Sequence, residues 1–408
     1  MQILHFYQNF LGGGGVANGV LGLVNAQKQL GHEVLLVVME MQRAPLYEPM
    51  MPLLDCELLT WRPGMTFTLG GLEIAVPDRR LMEEINRWQP DIVHIHGEFL
   101  PVNIWLRRAL KFPMILTPHG AFHPGLFKSG TRVRRLRRHL YVRFAKPLLY
   151  RRLLALHAVS PVEEHHIRRM VPGAMVYSLP AMMPPGTQTL LRASENGTRK
   201  ASGEVKVLFV GRLDVYCKGL DILLQAFAQA IQRFPSNKIS LFMVGPDWRQ
   251  GLSTLQDTVR ELGIAGRVKF TGSVAREGVA ELLSQADLFV LLSRHDGCPL
   301  SLAEALMKGI PSIASTEVGL VGYPEIASLP YLCTVRPEIA EAASAIANCI
   351  ARREELHRLG RQHAQQVKDF YDGSRIANLH IERYRELLGH RASADFKVPA
   401  ESQTVVGL

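Results

Sequence analysis

The sequence is short of cysteine, and the few it has are poorly placed for pairing. Cys56, Cys217, Cys298, Cys333 and Cys349 are odd in number, and no two stand in C-x-x-C spacing. A disulfide framework and a zinc knuckle are not expected, and a reducing cytosol is the natural compartment. The opening MQILHFYQNF has no basic n-region, so it does not read as a signal peptide. No uncharged apolar run reaches the roughly 18 residues that a bilayer span needs, so any membrane contact is expected to be peripheral. Acidic residues are missing altogether between Lys128 and Arg152.

That acid-free stretch is crowded with cations, Arg134, Arg135, Arg137 and Arg138 among them. It suits an anionic partner (phosphate groups, a lipid headgroup surface or nucleic acid), or it is a solvated helix face. It also accounts for much of the formal net charge of +10. The 408 residues, 47% hydrophobic and 21% charged, are ordinary for globular protein and too many for one core. Two or three domains are expected.

Short apolar runs alternate with helical patterns through the first half. MQILHFY reads as a strand, Val16 to Leu30 as a helix and Glu33 to Met39 as the next strand. Asp91 to His96 and Pro113 to Thr117 read as further buried strands. Leu179 to Ser202, with Pro180, Pro184, Pro185, Gly186 and Gly197, reads as a linker. Alternation then restarts with strands at Val205–Val210, Ile239–Val244, Val268–Thr271 and Leu288–Leu292. The helices between them fall at Leu220–Phe234, Leu252–Leu262 and Val279–Ala286, and several more fill Pro337 to Leu388. The chain is therefore α/β, with two doubly wound parallel sheets. Ligands of such sheets bind beyond the carboxyl ends of the strands, so a cleft between the two domains is the expected place for chemistry.

Four segments carry chemistry. Leu11-Gly-Gly-Gly-Gly-Val-Ala-Asn-Gly19 follows the first strand, where glycines admit a phosphate close to the backbone and to a helix N-terminus. Gly12, Gly14 and Ala17 also satisfy the dinucleotide pattern G-x-G-x-x-A, with Glu40 at a suitable distance; a tight turn alone is the other reading. In Phe209-Val-Gly-Arg-Leu-Asp-Val-Tyr-Cys-Lys-Gly-Leu-Asp221, Arg212 and Lys218 flank a strand-end loop where two cations can hold a diphosphate. In Ser293-Arg-His-Asp-Gly-Cys-Pro-Leu-Ser-Leu-Ala-Glu-Ala-Leu-Met-Lys-Gly-Ile-Pro311, Asp296 precedes a helix begun by Pro299 and Ser301, and Glu304 lies one turn inside it. A carboxylate there can take two ribose hydroxyls, and N–H groups near Leu300 and Ser301 can bind phosphate. An ordinary capped helix is the alternative. Thr117-Pro-His-Gly-Ala-Phe-His123 offers a cleft histidine. His119 and His123 also have a possible zinc spacing, and His94 reads as a packed core histidine.

Together these segments resemble the large family of retaining glycosyltransferases numbered family four, of the GT-B fold. The resemblance runs from Met1 to about Tyr384. It is carried by GRLDVYCKGLDILLQAF followed by HDGCPLSLAEALMKGIPSIAS. It implies an acceptor-binding domain over 1–190, a nucleotide-sugar-binding domain over 203–373, a helix over 374–390 crossing back to the first domain, and a flexible tail over 391–408. Arg212 and Lys218 match the diphosphate-binding pair, and Glu304 matches the acid that holds the donor ribose. Asp296 stands where the family usually has Glu and would meet the donor sugar, as would His119. Gly13 and Gly14 fall in the loop that approaches the donor phosphates. Gly272 to Val274 lie where backbone reads the base, and Gly211, Gly297, Leu300 and Ser301 complete the expected donor site. Ser178-Leu-Pro-Ala181 departs from the Pro-Asn-Gly of many relatives, which leaves the hinge geometry open.

The resemblance implies retaining transfer of a hexose-type sugar from a UDP- or GDP-sugar to a glycan or lipid-linked acceptor, in cell-surface polysaccharide biosynthesis. No cofactor and no metal are implied, and no Asp-x-Asp pair is present. An anionic membrane at the inner face is an expected contact; nucleic acid is not. The rival readings are a nucleotide-sugar epimerase of the same fold, a non-catalytic sugar-nucleotide-binding subunit, and an NAD-dependent oxidoreductase.

Overall fold

Parallel pairing dominates both halves of the chain because the strands are apolar on both faces. Glu33–Met39, for example, is buried from its second residue to its last. The computed structural model describes residues 1–40, 52–63, 66–69, 72–128, 131–193, 203–236 and 238–395. The first half holds β1 (Gln2–Tyr7), β2 (Glu33–Met39), β3 (Glu57–Trp61), β4 (Thr66–Leu69), β5 (Leu72–Ala75), β6 (Ile92–His96), β7 (Met114–Thr117), β8 (Ala155–Ala158) and β9 (Val176–Ser178). Its helices are α1 (Gly14–Gln29), α2 (Arg79–Trp88), α3 (Pro101–Ala109), α4 (Pro124–Lys128), α5 (Arg132–Leu148) and α6 (Pro161–Met170). After α7 (Thr187–Ala193) come β10 (Glu204–Val210), α8 (Leu220–Ile231), β11 (Lys238–Val244), α9 (Gly251–Glu261), β12 (Val268–Gly272), α10 (Arg276–Gln285) and β13 (Leu288–Leu291). The chain continues through α11 (Leu300–Met307), β14 (Ser312–Ser315), α12 (Pro324–Ala327), β15 (Leu332–Val335), α13 (Ile339–Ala351), α14 (Arg353–Phe370) and α15 (Gly373–Asp395).

The seven-stranded sheet runs β3-β2-β1-β6-β7-β8-β9 and the six-stranded sheet β12-β11-β10-β13-β14-β15, every pair parallel. β4 and β5 form a separate antiparallel hairpin. Both sheets reverse their winding beside the first strand of the domain, between β1 and β6 and between β10 and β13. Those reversals open the crevices in which ligands of doubly wound sheets sit. Helices cover both faces of each sheet, and fully buried Phe209, Phe227 and Phe289 anchor the second core. α15 returns to the first sheet, where Ile381, Tyr384 and Leu387 pack with Ile3, Ile92 and Ile115.

Several boundaries differ from the sequence reading. The expected linker contains α7, and its Met182 and Met183 are buried against α1; a Cβ on Gly22 would meet the Met183 carbonyl at 2.2 Å. Pro-rich composition concealed this packing. Pro299 caps α11 from outside rather than starting it. α1 begins two residues early, inside the glycine run, and α10 begins three residues early, at Arg276. α15 continues to Asp395, and 396–408 lie outside the described residues. The strands β8, β9, β14 and β15 are three or four residues long, too short for a periodic signal.

Gly219 joins the loop after β10 to the end of β13. Its φ is 60°, and a Cβ there would stand 2.0 Å from the Leu292 carbonyl oxygen. Gly263 has a similar φ of 66° with open space around it. Gly219→Ala is expected to cost about 2–4 kcal/mol, against about 1 kcal/mol for Gly263→Ala, in urea unfolding followed by circular dichroism.

Candidate active site

Two strand-end loops of the second domain are tied together by charge. Lys218, after β10, forms an ion pair with Asp296, after β13, and both side chains are mostly buried. Arg294 clamps the Asp221 carboxylate in α8 through two bonds of 2.6 and 2.7 Å, and also donates to the Tyr216 carbonyl. The Arg294 backbone N–H reaches the Cys217 carbonyl at 2.9 Å, and Cys217 Sγ lies 3.2 Å from His295 Nε2. Arg212 is more open. It lies over the Trp248 ring at 4.7 Å and 3.5 Å from Asp214. α11 follows directly, and its first-turn N–H groups have no partner within the helix. Glu304 sits one turn in, where burial pushes its carboxyl up to about 7 against the pull of Arg276.

The first domain contributes the loop after β7. His119 takes a left-handed φ of 55°, a strained conformation for a residue with a Cβ. The next N–H, of Gly120, donates to the Glu163 carboxylate, which also accepts from Val159 N at 2.8 Å. Ser160 caps α6 by accepting from Glu163 N at 3.1 Å. His119 Nε2 lies 3.2 Å from His96 Nδ1, and burial holds its ring down to about 3.

The two domains meet through bare backbone. A Cβ on Gly297 would lie 3.3 Å from Gly120 N, and one on Gly319 would lie 2.0 Å from the Gly297 carbonyl oxygen. Beside this contact His123 Nε2 lies 3.2 Å from Glu317 and its ring stacks on His295 at 5.2 Å. Between the domains opens a cavity of about 670 Å³. His119, Arg212, Lys218, Asp296, Gly14, Gly211, Val274, Gly297, Leu300, Ser301 and Glu304 all line it. Gly13 and Gly272 do not. Gly13 caps α1 with φ 67°, one residue from the lining, and Gly272 is the exposed last residue of β12, with φ 70°.

Other lining residues escaped the sequence reading. Arg138 belongs to the basic stretch but was not singled out for the cleft. Arg276 binds the Pro185 carbonyl and Thr187 hydroxyl of the linker, a pairing no spacing could reveal. Glu163 had a legible signal, the Ser-Pro-x-Glu start of a helix. His119 and His123 turn to different partners, so their zinc spacing is not realised as a shared site. Ligand atoms of His5, His94 and His96 lie within 4.8 Å of one another. Every ring nitrogen of the three is already hydrogen-bonded to protein, so a metal would have to displace those bonds. Glu40, the acid of the dinucleotide pattern, is held by Arg62 at 2.5 and 3.1 Å.

Residues 204–352 match the family described as glycosyl transferases group 1, and residues 13–177 match glycosyltransferase family 4. N-acetyl-alpha-D-glucosaminyl L-malate synthase of Bacillus anthracis is 33% identical over 42% of this chain and 43% of its own length. GDP-mannose:cellobiosyl-diphosphopolyprenol alpha-mannosyltransferase of Xanthomonas oryzae is 25% identical over 73% of this chain and 75% of its own. Across the first curated relatives the match spans 26% to 75% of their lengths. The structure of Anabaena HepE in complex with UDP and glucose shares the fold, with a TM-score of 0.70 at 17% identity over 95% of this chain and all of the other. With one of the two matches on each side of a GT-B cleft, the chain belongs to the group 1, or family 4, glycosyltransferases.

Proposed function

We propose that the chain is a metal-independent retaining glycosyltransferase that moves a hexose-type sugar from a UDP- or GDP-sugar to a glycan or lipid-linked acceptor, in cell-surface polysaccharide biosynthesis. The observation that carries this reading is the convergence of Lys218, Arg212 and the N-terminus of α11 on one interdomain cavity. Two cations and a helix end supply the positive field that a divalent ion supplies elsewhere. Glu304 takes the donor ribose, and Asp296 and His119 meet the sugar. A relative named for GDP-mannose and a neighbour solved with UDP support the choice of nucleotide.

The carboxylates around the cavity favour front-face transfer. Glu163 is engaged by two backbone N–H groups, Glu317 by His123 and Asp296 by Lys218, and Glu304 is given to the ribose, so no carboxylate is assigned as a nucleophile. The bond from the anomeric carbon to the diphosphate oxygen breaks, the acceptor oxygen bonds to that carbon on the same face, and the acceptor proton passes to the leaving oxygen. Arg212 and Lys218 stabilise the charge that builds there, and the apposed Gly120 and Gly297 exclude water.

The acceptor side reaches toward a membrane through α5. Val133, Leu136, Leu140 and Phe144 recur at three- and four-residue spacing and are 65%, 60%, 45% and 59% exposed. Trp105 is exposed on α3, which packs against α5. An apolar stripe flanked by Arg132 and Arg143 suits an anionic bilayer surface. No helix among the described residues is long and apolar enough to cross a membrane.

Three outcomes are expected. One donor in a panel of UDP-, GDP- and ADP-sugars releases nucleotide in EDTA, and Lys218→Ala slows that release by about 10²-fold or more; release that needs added metal overturns the metal-independent step. Donor KM falls as pH rises through about 7, because the ionised Glu304 accepts from two ribose hydroxyls and the protonated form keeps one uncharged acceptor oxygen; Glu304→Gln flattens the profile. The protein floats with anionic liposomes at low salt, and Leu136→Glu with Phe144→Glu abolishes flotation without changing nucleotide release; no flotation of the parent protein refutes the membrane contact.

A further inference from the structure

Behind His119 the first domain buries an unbroken chain of hydrogen-bonding side chains. His119 Nε2 lies 3.2 Å from His96 Nδ1, and His96 Nε2 lies 2.9 Å from His5 Nδ1. His5 Nε2 lies 2.8 Å from Gln27 Oε1, and Gln27 Nε2 lies 3.5 Å from Tyr384 Oη on α15. Tyr384 Oη lies 2.6 Å from His94 Nδ1, and His94 Nε2 lies 2.6 Å from Thr117 Oγ1. Thr117 Oγ1 lies 2.8 Å from His157 Nδ1, and His157 Nε2 ends the chain 3.0 Å from the Leu179 carbonyl oxygen. His5, His94, His96, His157, Thr117 and Gln27 are all buried.

One end of this chain fixes every proton in it. A carbonyl only accepts, so His157 Nε2 carries the hydrogen and donates to Leu179. Burial keeps these imidazoles neutral, so His157 Nδ1 is bare and accepts from the Thr117 hydroxyl. Thr117 has then spent its single hydrogen and accepts from His94 Nε2. By the same rule His94 Nδ1 accepts from Tyr384, Tyr384 accepts from the Gln27 amide, and the Gln27 carbonyl accepts from His5 Nε2. His5 Nδ1 accepts from His96 Nε2, and His96 Nδ1 accepts from His119 Nε2. The opposite direction would set a bare His157 nitrogen against the Leu179 carbonyl, two acceptors 3.0 Å apart in a dry interior.

We infer that this one-way relay, anchored on the Leu179 carbonyl, holds His119 as its Nε2–H tautomer, so that Nδ1 is a bare acceptor for a hydroxyl hydrogen of the substrate in the cleft. Thr117, Tyr384, Gln27 and His5 are then positioning residues that act on the site through His119. The occupant of the cleft rests on the glycosyltransferase reading; the tautomer does not.

The test is long-range proton–nitrogen correlation of the imidazoles in the ¹⁵N-labelled full chain without ligand, with His119 assigned by comparison with His119→Gln. The parent protein shows His119 as one neutral tautomer, protonated at Nε2. Thr117→Val removes the hydroxyl at nearly constant volume, lets the Gln27 amide turn over, and so shifts His119 toward the Nδ1–H form. Thr117→Ser keeps the hydroxyl and the parent tautomer. Tyr384→Phe cuts the relay elsewhere and serves if Thr117→Val does not fold. Donor KM rises about tenfold in the cut variants and not in Thr117→Ser, as expected for one lost hydrogen bond. A His119 protonated at Nδ1 in the parent, or unmoved in both cut variants, overturns the relay. A tautomer that shifts as stated in a protein that binds no donor sustains the relay and counts against the donor reading instead.

Discussion

The ion pair between Lys218 and Asp296 is the interaction on which the cleft depends. Each charge sits in a loop that its own strand end cannot fix, and each is largely withdrawn from water. Removing either partner would leave the other buried and uncompensated, which costs far more than the pair itself contributes. The loops are therefore held at one separation before any ligand arrives. Arg294 and Gly219 act on the same seam, one by clamping Asp221 and the other by letting backbone pass close to Leu292. On the proposed reading a diphosphate entering the cavity would compete with Asp296 for Lys218, which would couple ligand binding and loop geometry at one nitrogen atom.

The two walls of the cavity differ in their electrostatics. The second domain offers cations and a helix end. Apart from Arg138, the first offers imidazoles that burial keeps uncharged, with His119 held down to about 3 and His157 to about 4. A wall of neutral donors and acceptors next to a cationic one concentrates negative charge on one side of the cleft and leaves hydroxyl groups to the other.

Much of this was legible in the sequence, for local reasons. The glycine run, the Arg212–Lys218 loop and the Asp296–Glu304 segment each follow an apolar strand directly, so strand ends and motifs point to one cleft. What stayed hidden was long-range. Arg294 and Asp221 are 73 residues apart, and Tyr384 meets His94 across 290. No periodicity encodes such pairs. Short interior strands such as β8 are recognised only once their neighbours exist, and the packing of Met182 and Met183 on α1 lay behind a proline-rich composition that reads as open linker.

The return of α15 to the first sheet also bears on how the molecule is made. A ribosome delivers β1 long before α15, yet Tyr384 and Ile381 are buried against Ile3 and Ile92. Until α15 emerges, that apolar face lacks its cover, and His94 and Gln27 lack their shared tyrosine. Although domains commonly mature in the order of synthesis, the earlier of these two domains is completed by a helix made after the sheet of the later one. Truncations near Gly373 would therefore strand a nearly finished protein with its earliest-made core exposed, the form most prone to aggregate and to be held by chaperones.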